Sequence, residues 1–329
     1  MILVVSLNPA LDVTYHVAEV DWSGVNRPHE VAAAPGGKGL NVARTLRALG
    51  SDVLVVGLAG GVTGEAVQAG LAGSGIPGRF IPIAGETRRT FAVVDTRSHD
   101  TALFHEPGPT VAGGEYDEFL VLYEKSLGGC AAVVLSGSLP PGVPQDAYAG
   151  LAARAAAAAV PVVLDAGGPA LRHGAAGGPA IAKPNLAELA AAVGRPLAGL
   201  AAAAGAAAEL RAAGARAVVV TLGGDGLLAV TGDGAWRAAP PAQTAGNPTG
   251  AGDAVVAGLA HGLVAGRPWP ERLRRAAARG APAASAPAMT ASACSIPMML
   301  NAPTPRPAAL AGPTISATPT AGISSPATR

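Results

Sequence analysis

Cysteine, aromatic residues and long apolar runs are scarce in this chain of 329 residues. The two cysteines, Cys130 and Cys294, match no metal-ligand spacing, and so few thiols are typical of a reducing compartment. No apolar stretch approaches the ~20 residues that span a bilayer, and no basic segment precedes the apolar start, as it would in a signal peptide. We therefore expect a cytoplasmic protein without a membrane segment.

Charge is sparse as well, and the net charge is only +1. So small a charge gives no general electrostatic attraction to nucleic acid or to an anionic membrane, and neither is expected as a partner. An anionic small molecule would need a local basic cluster instead. Hydrophobic residues make up 50% of the chain, which is enough for a sizeable core.

Short β-branched apolar runs alternate with stretches of helical spacing along most of the chain. This order favours an α/β fold with a mostly parallel sheet covered by helices on both faces. The predicted strands are residues 2–7, 53–58, 131–135, 160–164 and 217–221. The predicted helices between them are residues 40–49, 64–71, 145–158 and 186–193.

Two stretches have a different pattern, because apolar and polar residues alternate with period two in residues 13–33 and 88–105. This alternation predicts half-exposed antiparallel strands. They could form a small second sheet beside the main one, or simply a pair of edge hairpins.

From about Ala283 the chain becomes rich in Ala, Pro, Ser and Thr and holds no acidic residue. This composition predicts a disordered tail over residues 283–329, after a folded domain over residues 1–282. Pro282 and Pro287 would each interrupt a helix. Since the change is abrupt, a shifted reading frame is a second explanation of the tail.

The segment of residues 247–253, NPTGAGD, is followed by a stretch of helical spacing. Glycines at the start of a helix let backbone N–H groups point at an anion, so Gly250, Ala251 and Gly252 are candidates for phosphate binding. A carboxylate at this position would normally repel phosphate, so the presence of Asp253 makes sense if it accepts a proton from the attacking hydroxyl. The alternative is a glycine-rich turn with Asp in the first turn of an ordinary helix.

A second glycine turn, PGGKGLNVA over residues 35–43, also enters a predicted helix. Lys38 supplies a point charge beside Gly37, and Asn41 can donate to and accept from sugar hydroxyls. A tight loop with a solvated Lys is the alternative. Another glycine cluster, residues 57–64, lacks a clean G-x-G-x-x-G spacing and a following acidic residue, which disfavours a dinucleotide site.

In the segment KPNLAE, residues 183–188, Asn185 is a candidate N-cap and Glu188 lies in the capping-box position. The functional alternative is that Asn185 and Glu188 organise hydrated Mg²⁺, a cation that prefers oxygen ligands. Thr221, Gly223 and Gly226 follow a strand and open a hairpin, where a nucleotide could lie against the backbone. Small residues around Ser138 likewise leave room for a ligand after a predicted strand.

With these motifs together, the chain resembles the PfkB/ribokinase family of carbohydrate kinases over residues 1 to about 280. Within the family it is most similar to the branch of 1-phosphofructokinases and tagatose-6-phosphate kinases. The segments that carry the resemblance are residues 6–12, 25–27, 35–43, 87–88, 136–142, 183–188 and 247–253.

The resemblance implies a ribokinase-like three-layer sandwich with a small β-sheet lid from residues 12–34 and 87–106, which could also form a homodimer. It implies that Asp253 is the catalytic base and that Gly250, Ala251 and Gly252 form an anion hole. For the phosphorylated sugar it implies Asp12, Arg27, Gly37, Lys38, Asn41, Arg88 and Ser138. For ATP and Mg²⁺ it implies Lys183, Asn185, Glu188, Thr221, Gly223 and Gly226.

The expected activity is ATP-dependent phosphorylation of fructose 1-phosphate to fructose 1,6-bisphosphate. Tagatose-6-phosphate kinase and 6-phosphofructokinase are the alternatives within the class, and a non-catalytic sugar-phosphate-binding regulator is the alternative outside it. Two features depart from the branch. Thr90 stands where an Asn is common, and the sequence after Gly280 does not continue the pattern expected of a segment that packs near the adenine.

Overall fold

The computed structural model describes residues 1–239 and 250–280 of the chain. The larger sheet in this part has nine strands and is parallel except at the β11–β12–β13 edge. In spatial order its strands are β13 (Gly234–Ala238), β12 (Leu227–Thr231), β11 (Val218–Thr221), β10 (Ile181–Ala182), β9 (Val162–Asp165), β8 (Ala132–Ser136), β1 (Ile2–Ser6), β4 (Val53–Ala59) and β5 (Gly78–Pro82).

Helices cover both faces of this sheet. They are α1 (Lys38–Ala48), α2 (Gly61–Gly73), α3 (Gly113–Ser126), α4 (Ala147–Ala157), α5 (Gly168–Ala176), α6 (Leu186–Val193), α7 (Gly199–Ala212), α8 (Ala251–Val264) and α9 (Trp269–Gly280). The reason lies in the strands: Leu3 and Val5 of β1 face one apolar cluster, while Ile2 and Val4 face the other. The three-layer α/β architecture predicted from the alternating pattern is therefore confirmed.

A separate four-stranded sheet forms from the two stretches of period-two alternation. Its order is β3 (Glu30–Gly36), β2 (Ala10–Val17), β6 (Arg88–Asp95) and β7 (Thr101–His105). The outer pairs are antiparallel, as the alternation predicts, but the central pair β2–β6 is parallel. A hairpin cannot join parallel strands, so the chain passes through the main sheet between them. We call this four-stranded sheet the lid.

The register of the lid gives it two chemically different faces. Asp12, Thr90 and His105 are paired across the strands and share one face. Tyr15, Phe91 and Phe104 share the opposite face by the same pairing, because side chains alternate along each strand. The first face is polar and the second is aromatic.

Within the described part of the chain, none of the helices combines the length and the apolar character that a bilayer crossing needs.

Candidate active site

The candidate site lies at the carboxyl ends of the parallel strands, the edge where open α/β sheets bind ligands. Ser136 ends β8 and Asp165 ends β9 at this edge. Three helices begin beside it: α1 after Gly37, α6 after Asn185 and α8 after Gly250. Since helix N termini carry partial positive charge, their convergence favours an anionic ligand.

Asp253 lies in the first turn of α8 and is only 6% exposed. The N-cap residue before the helix is Gly250, whose φ of 82° is a left-handed conformation that suits glycine. Burial raises the pKa of Asp253 to about 6, against the opposing effect of a hydrogen bond from Asn41. A carboxylate with a pKa near the working pH is suited to accept a proton from a hydroxyl.

Asn41 joins helix α1 to this carboxylate. Its Nδ2 donates to Asp253 Oδ2 at 2.8 Å, and its Oδ1 accepts a hydrogen bond from Arg44 Nη2. The sequence predicts only that Asn41 contacts sugar hydroxyls. The structure adds a direct contact with the candidate base, and it places Arg44, which the sequence reasoning missed, behind Asn41.

A network of charges lies next to Asp253. Lys38 Nζ is 3.0 Å from Glu188 Oε1 and 3.7 Å from Asp165 Oδ1, while Lys183 Nζ is 3.1 Å from the same Asp165 oxygen. Burial alone would lower the pKa of Lys38, but Asp165 and Glu188 outweigh it, so this pKa is raised. The structure thus brings Lys38, Glu188 and Lys183 together around Asp165.

Asp165 is fully buried, and the sequence reasoning missed it. The available signal was its position, because it directly follows a predicted strand of a parallel sheet. The carboxyl ends of such strands are where functional side chains concentrate.

On the lid side, Asp12 and Arg88 face the same region. Burial raises the pKa of Asp12, against a hydrogen bond from Thr90 and the charges of Arg44 and Arg88. Thr90, the residue that departs from the branch pattern, therefore still contacts the predicted sugar ligand Asp12. Gly36 makes room for this carboxylate, because a Cβ there would fall 2.0–2.2 Å from its three atoms.

Arg88 is held by backbone oxygens. Its Nε donates to Asn8 O at 3.2 Å and its Nη1 to Glu106 O at 3.1 Å. Asn8 also donates to Ser138 Oγ at 3.1 Å, so the predicted residues Arg88 and Ser138 are linked through a residue to which the sequence reasoning gave no role in the site. These contacts connect the lid to the loop after β8.

Arg27 is not brought to this cluster within the described chain. It is exposed in the loop that joins β2 to β3. The backbone hydrogen bond from His29 N to His16 O marks the end of the two strands from which this loop extends. Arg88 pairs with Ala10, six residues before His16 on the same strand, which is about 20 Å at 3.4 Å per residue. Arg27 and Arg88 therefore lie towards opposite ends of the lid, and a phosphate-binding role for Arg27 stays a prediction.

Asn185 and Glu188 form the predicted capping box at the start of α6. Asn185 Oδ1 accepts from Glu188 N at 2.7 Å, and Glu188 Oε2 accepts from Asn185 N at 2.8 Å. No group of three or more His, Cys, Asp or Glu side chains that could hold a metal ion occurs among residues 1–239 and 250–280. The single carboxylate of Glu188 can accept hydrogen bonds from the waters of hydrated Mg²⁺, which suits indirect binding of the ion rather than direct coordination by several protein ligands.

The candidate nucleotide side is the turn between β11 and β12. Thr221 N donates to Pro184 O at 3.0 Å, and Gly223 and Gly226 have left-handed φ values of 60° and 88°. This places the turn beside the segment that holds Lys183 and Asn185. Residues 247–249 of the NPTGAGD segment and the tail over residues 283–329 lie outside the described residues.

A carboxylate of raised pKa in the first turn of a helix that follows a glycine, with Lys38 and Lys183 near it at the edge of an α/β sheet, is suited to phosphoryl transfer. Residues 5–294 match the pfkB family of carbohydrate kinases. The chain belongs to this family and is a sugar kinase.

Solved structures of bacterial phosphofructokinases are similar over most of their length. The tetrameric inhibited form of phosphofructokinase-2 from Escherichia coli has a TM-score of 0.81 at 30% identity, with 85% of this chain and 92% of that chain covered. A protein from Thermotoga maritima described as a possible 1-phosphofructokinase has a TM-score of 0.78 at 28% identity, with 85% and 90% covered. The family suggested by the sequence motifs is thereby confirmed.

Proposed function

We propose that this kinase transfers the γ-phosphoryl group of ATP to a hydroxyl of a phosphorylated ketohexose, and that fructose 1-phosphate is the preferred substrate. The observation that carries the proposal is Asp253, a buried carboxylate of raised pKa at the N terminus of α8, with Lys38 and Lys183 near it. The products would be fructose 1,6-bisphosphate and ADP, the leaving group.

Asp253 is the general base in this proposal. It accepts the proton of the attacking hydroxyl as the oxygen approaches the phosphorus. The first backbone N–H groups of α8, at Ala251 and Gly252, then stabilise the charge on the transferring group together with the helix dipole. Gly250 allows the chain to enter the helix at this angle.

Arg88, with Ser138 beside it, binds the phosphate already present on the sugar, and Lys38 contributes a second positive charge. The guanidinium of Arg88 is already fixed by two backbone carbonyls, so little side-chain freedom is lost on binding. Asp12 accepts hydrogen bonds from the sugar hydroxyls, and Gly37 permits close approach.

ATP lies along Thr221, Gly223 and Gly226, with Lys183 and Asn185 at the phosphates. Bound Mg²⁺ would neutralise charge on the transferring phosphates, as it does in phosphoryl transfer generally. Glu188 would hold the waters of the ion through its carboxylate and would keep Lys38 oriented by their 3.0 Å contact.

The phosphosugar stays open, because the similar structures include phosphofructokinase-2 from Escherichia coli in complex with fructose-6-phosphate, at 30% identity and a TM-score of 0.78. Fructose 1-phosphate is preferred on the motifs around Asn8, Arg27 and Ser138 that resemble the 1-phosphofructokinase branch. Tagatose 6-phosphate and fructose 6-phosphate are the alternatives.

The test is initial-rate kinetics on the three phosphosugars and on unphosphorylated fructose, followed by ADP release. We expect the highest kcat/KM with fructose 1-phosphate and little turnover of fructose. A higher kcat/KM with either other phosphosugar would overturn the substrate assignment. Efficient turnover of fructose would overturn the proposal that the site binds a phosphate already present on the sugar. Tight phosphosugar binding without ADP release would identify a non-catalytic regulator.

The aromatic face of the lid is proposed to bind a second copy of this chain, in the cytoplasm. Val31 is 56% exposed and Phe104 is 52% exposed on this face, and Tyr15 and Phe91 stack beside them with ring centroids 6.2 Å apart. Contiguous exposed apolar residues of this kind favour a protein interface. The same face of a second lid offers the matching apolar surface that a two-fold dimer requires.

A further inference from the structure

Arg44 stands directly behind the contact between Asn41 and the candidate base. It lies one helical turn after Asn41 on α1, so the two side chains are neighbours on the helix surface. Its Nη2 donates to Asn41 Oδ1, and its Nη1 donates to Pro35 O at 2.5 Å, at the end of lid strand β3. The guanidinium is therefore fixed at both ends.

We propose that Arg44 is a positioning residue that fixes the amide of Asn41, so that its NH₂ group always faces Asp253. The inference rests on the proposed role of Asp253 as the base. The reason is the donor and acceptor chemistry of the three side chains. A guanidinium can only donate, and an ionised carboxylate can only accept. The amide between them is thereby forced to present its oxygen to Arg44 and its nitrogen to Asp253.

This arrangement distinguishes the two carboxylate oxygens of Asp253. Oδ2 accepts the hydrogen bond from Asn41 at 2.8 Å. The proton of the attacking hydroxyl is therefore received by Oδ1, the oxygen that Asn41 does not contact. If the amide of Asn41 turned over, its oxygen would face the carboxylate and repel its charge. The pKa of Asp253 would then rise, so a smaller fraction of the enzyme at the working pH would carry the ionised carboxylate that accepts the hydroxyl proton.

Other charged groups also act on Asp253, and the test must separate them from Arg44. The groups that face it are Lys38 of α1, Asp165 at the end of β9 and Lys183 after β10. Helix α9 packs on α8 as well. Its Arg272 lies against Gly262, more than two turns along α8 from Asp253, whereas its last residue, Gly280, lies against Ala251 and Val255 and follows the exposed Arg279. None of these groups is altered by changing Arg44.

The first test is the pH dependence of Asp253 in Arg44→Met. The carboxyl ¹³C signal is followed in the free enzyme, and Asp253→Asn identifies it. Removing the guanidinium frees the amide of Asn41, so the pKa of Asp253 should rise from about 6 by at least half a unit. The acid limb of the kcat/KM profile should move up in pH with it, and kcat should fall by roughly tenfold to a hundredfold, as expected for a mispositioned group.

The second test is a double-mutant cycle with Asn41→Ala. If Arg44 acts through Asn41, adding Arg44→Met to Asn41→Ala should change the Asp253 pKa and kcat little further. A direct effect of the Arg44 charge would persist in that background and would overturn the proposal. Arg47→Met, on the exposed side of the same helix, is the matched control and should leave activity unchanged.

The outcomes also separate this proposal from the proposed function. An unchanged Asp253 pKa in folded Arg44→Met would overturn the positioning role, even if Asp253 is the base. Conversely, full activity of Asp253→Asn would overturn the base assignment and leave the Arg44 effect on the ¹³C signal intact. If only the KM for the phosphosugar rises, Arg44 acts on Asp12 in the sugar site and not on Asn41, and the positioning role is overturned. Thermal melting shows whether each variant is folded.

Discussion

Lys183 Nζ lies 3.1 Å from Asp165 Oδ1, and both residues are almost fully excluded from solvent at the carboxyl edge of the sheet. An ion pair buried to this extent is costly to desolvate, and removing one partner leaves the other charge uncompensated. Because Asp165 also contacts Lys38 of the candidate site, loss of this pair should affect both the stability of the fold and the charges of the site.

Asp165→Asn should destabilise the protein by about 3 kcal/mol, because it leaves Lys183 as an unpaired buried charge. Urea denaturation measures this loss, with the exposed Asp52→Asn as the control. Adding Lys183→Met should recover part of the stability, since the double variant buries no lone charge at this pair. A loss no larger than that of Asp52→Asn would show that the pair is structurally unimportant.

Asp253→Asn should lose most of kcat, by about 10²–10⁴-fold, because the amide cannot accept the hydroxyl proton. The substrate KM should change less, since the carboxylate acts mainly in the transition state. Initial rates at saturating substrate measure the effect. Retention of more than about a tenth of kcat would contradict the assignment of the base.

The same variant should be more stable than the wild type above neutral pH. The pKa of Asp253 rises from 3.8 to about 6 on folding, so the folded state binds a proton more readily than the unfolded state. The wild type therefore loses stability as the pH rises from about 4 to about 7, by about 3 kcal/mol in total. The free energy of unfolding, measured at pH 5 and pH 8, should be higher for Asp253→Asn relative to the wild type at pH 8 than at pH 5. The same difference between the two proteins at both pH values would contradict the raised pKa of Asp253.

Arg88→Ala should raise the KM for the phosphosugar far more than the KM for ATP, because a guanidinium fork suits a phosphate dianion. Arg89→Ala is the matched control, since adjacent strand residues point to opposite faces and Arg89 is exposed over the ring of Phe91. A larger effect on the KM for ATP would place Arg88 on the nucleotide side.

Gly36→Ala should reduce kcat/KM for the phosphosugar by about 10–100-fold, since the new methyl group would displace the Asp12 carboxylate. Gly205→Ala is the control, because a Cβ there meets nothing within 4 Å and only raises helix propensity. Unchanged sugar kinetics in Gly36→Ala would remove Asp12 from the sugar site.

Phe104→Asp should shift the protein towards the monomer if the aromatic face of the lid binds a second copy. Light scattering coupled to gel filtration measures the mass in solution. Val121→Asp, at a position 50% exposed on α3, adds the same charge outside the lid and should leave the mass unchanged. A wild-type monomer would overturn the proposed dimer at once.

Much of the fold was predictable from the sequence, because local patterns carry it. Alternating β-branched runs and helical stretches predicted the doubly covered sheet, and period-two alternation predicted the lid strands. The parallel pairing of β2 with β6 was not predictable, since the two strands are separated by some 70 residues of chain. Which residues of the lid face the site depends on that register.

Contacts between residues close together in the chain were predictable from the sequence, as in the capping box of Asn185 and Glu188. Glycines before helices also made Asp253 a candidate base from local spacing alone. The pairing of Asp165 with Lys183, and the link from Arg44 through Asn41 to Asp253, became visible only in the folded chain. The physical reason is that burial and long-range charge contacts set these roles, and neither is encoded in the spacing of residues along the chain.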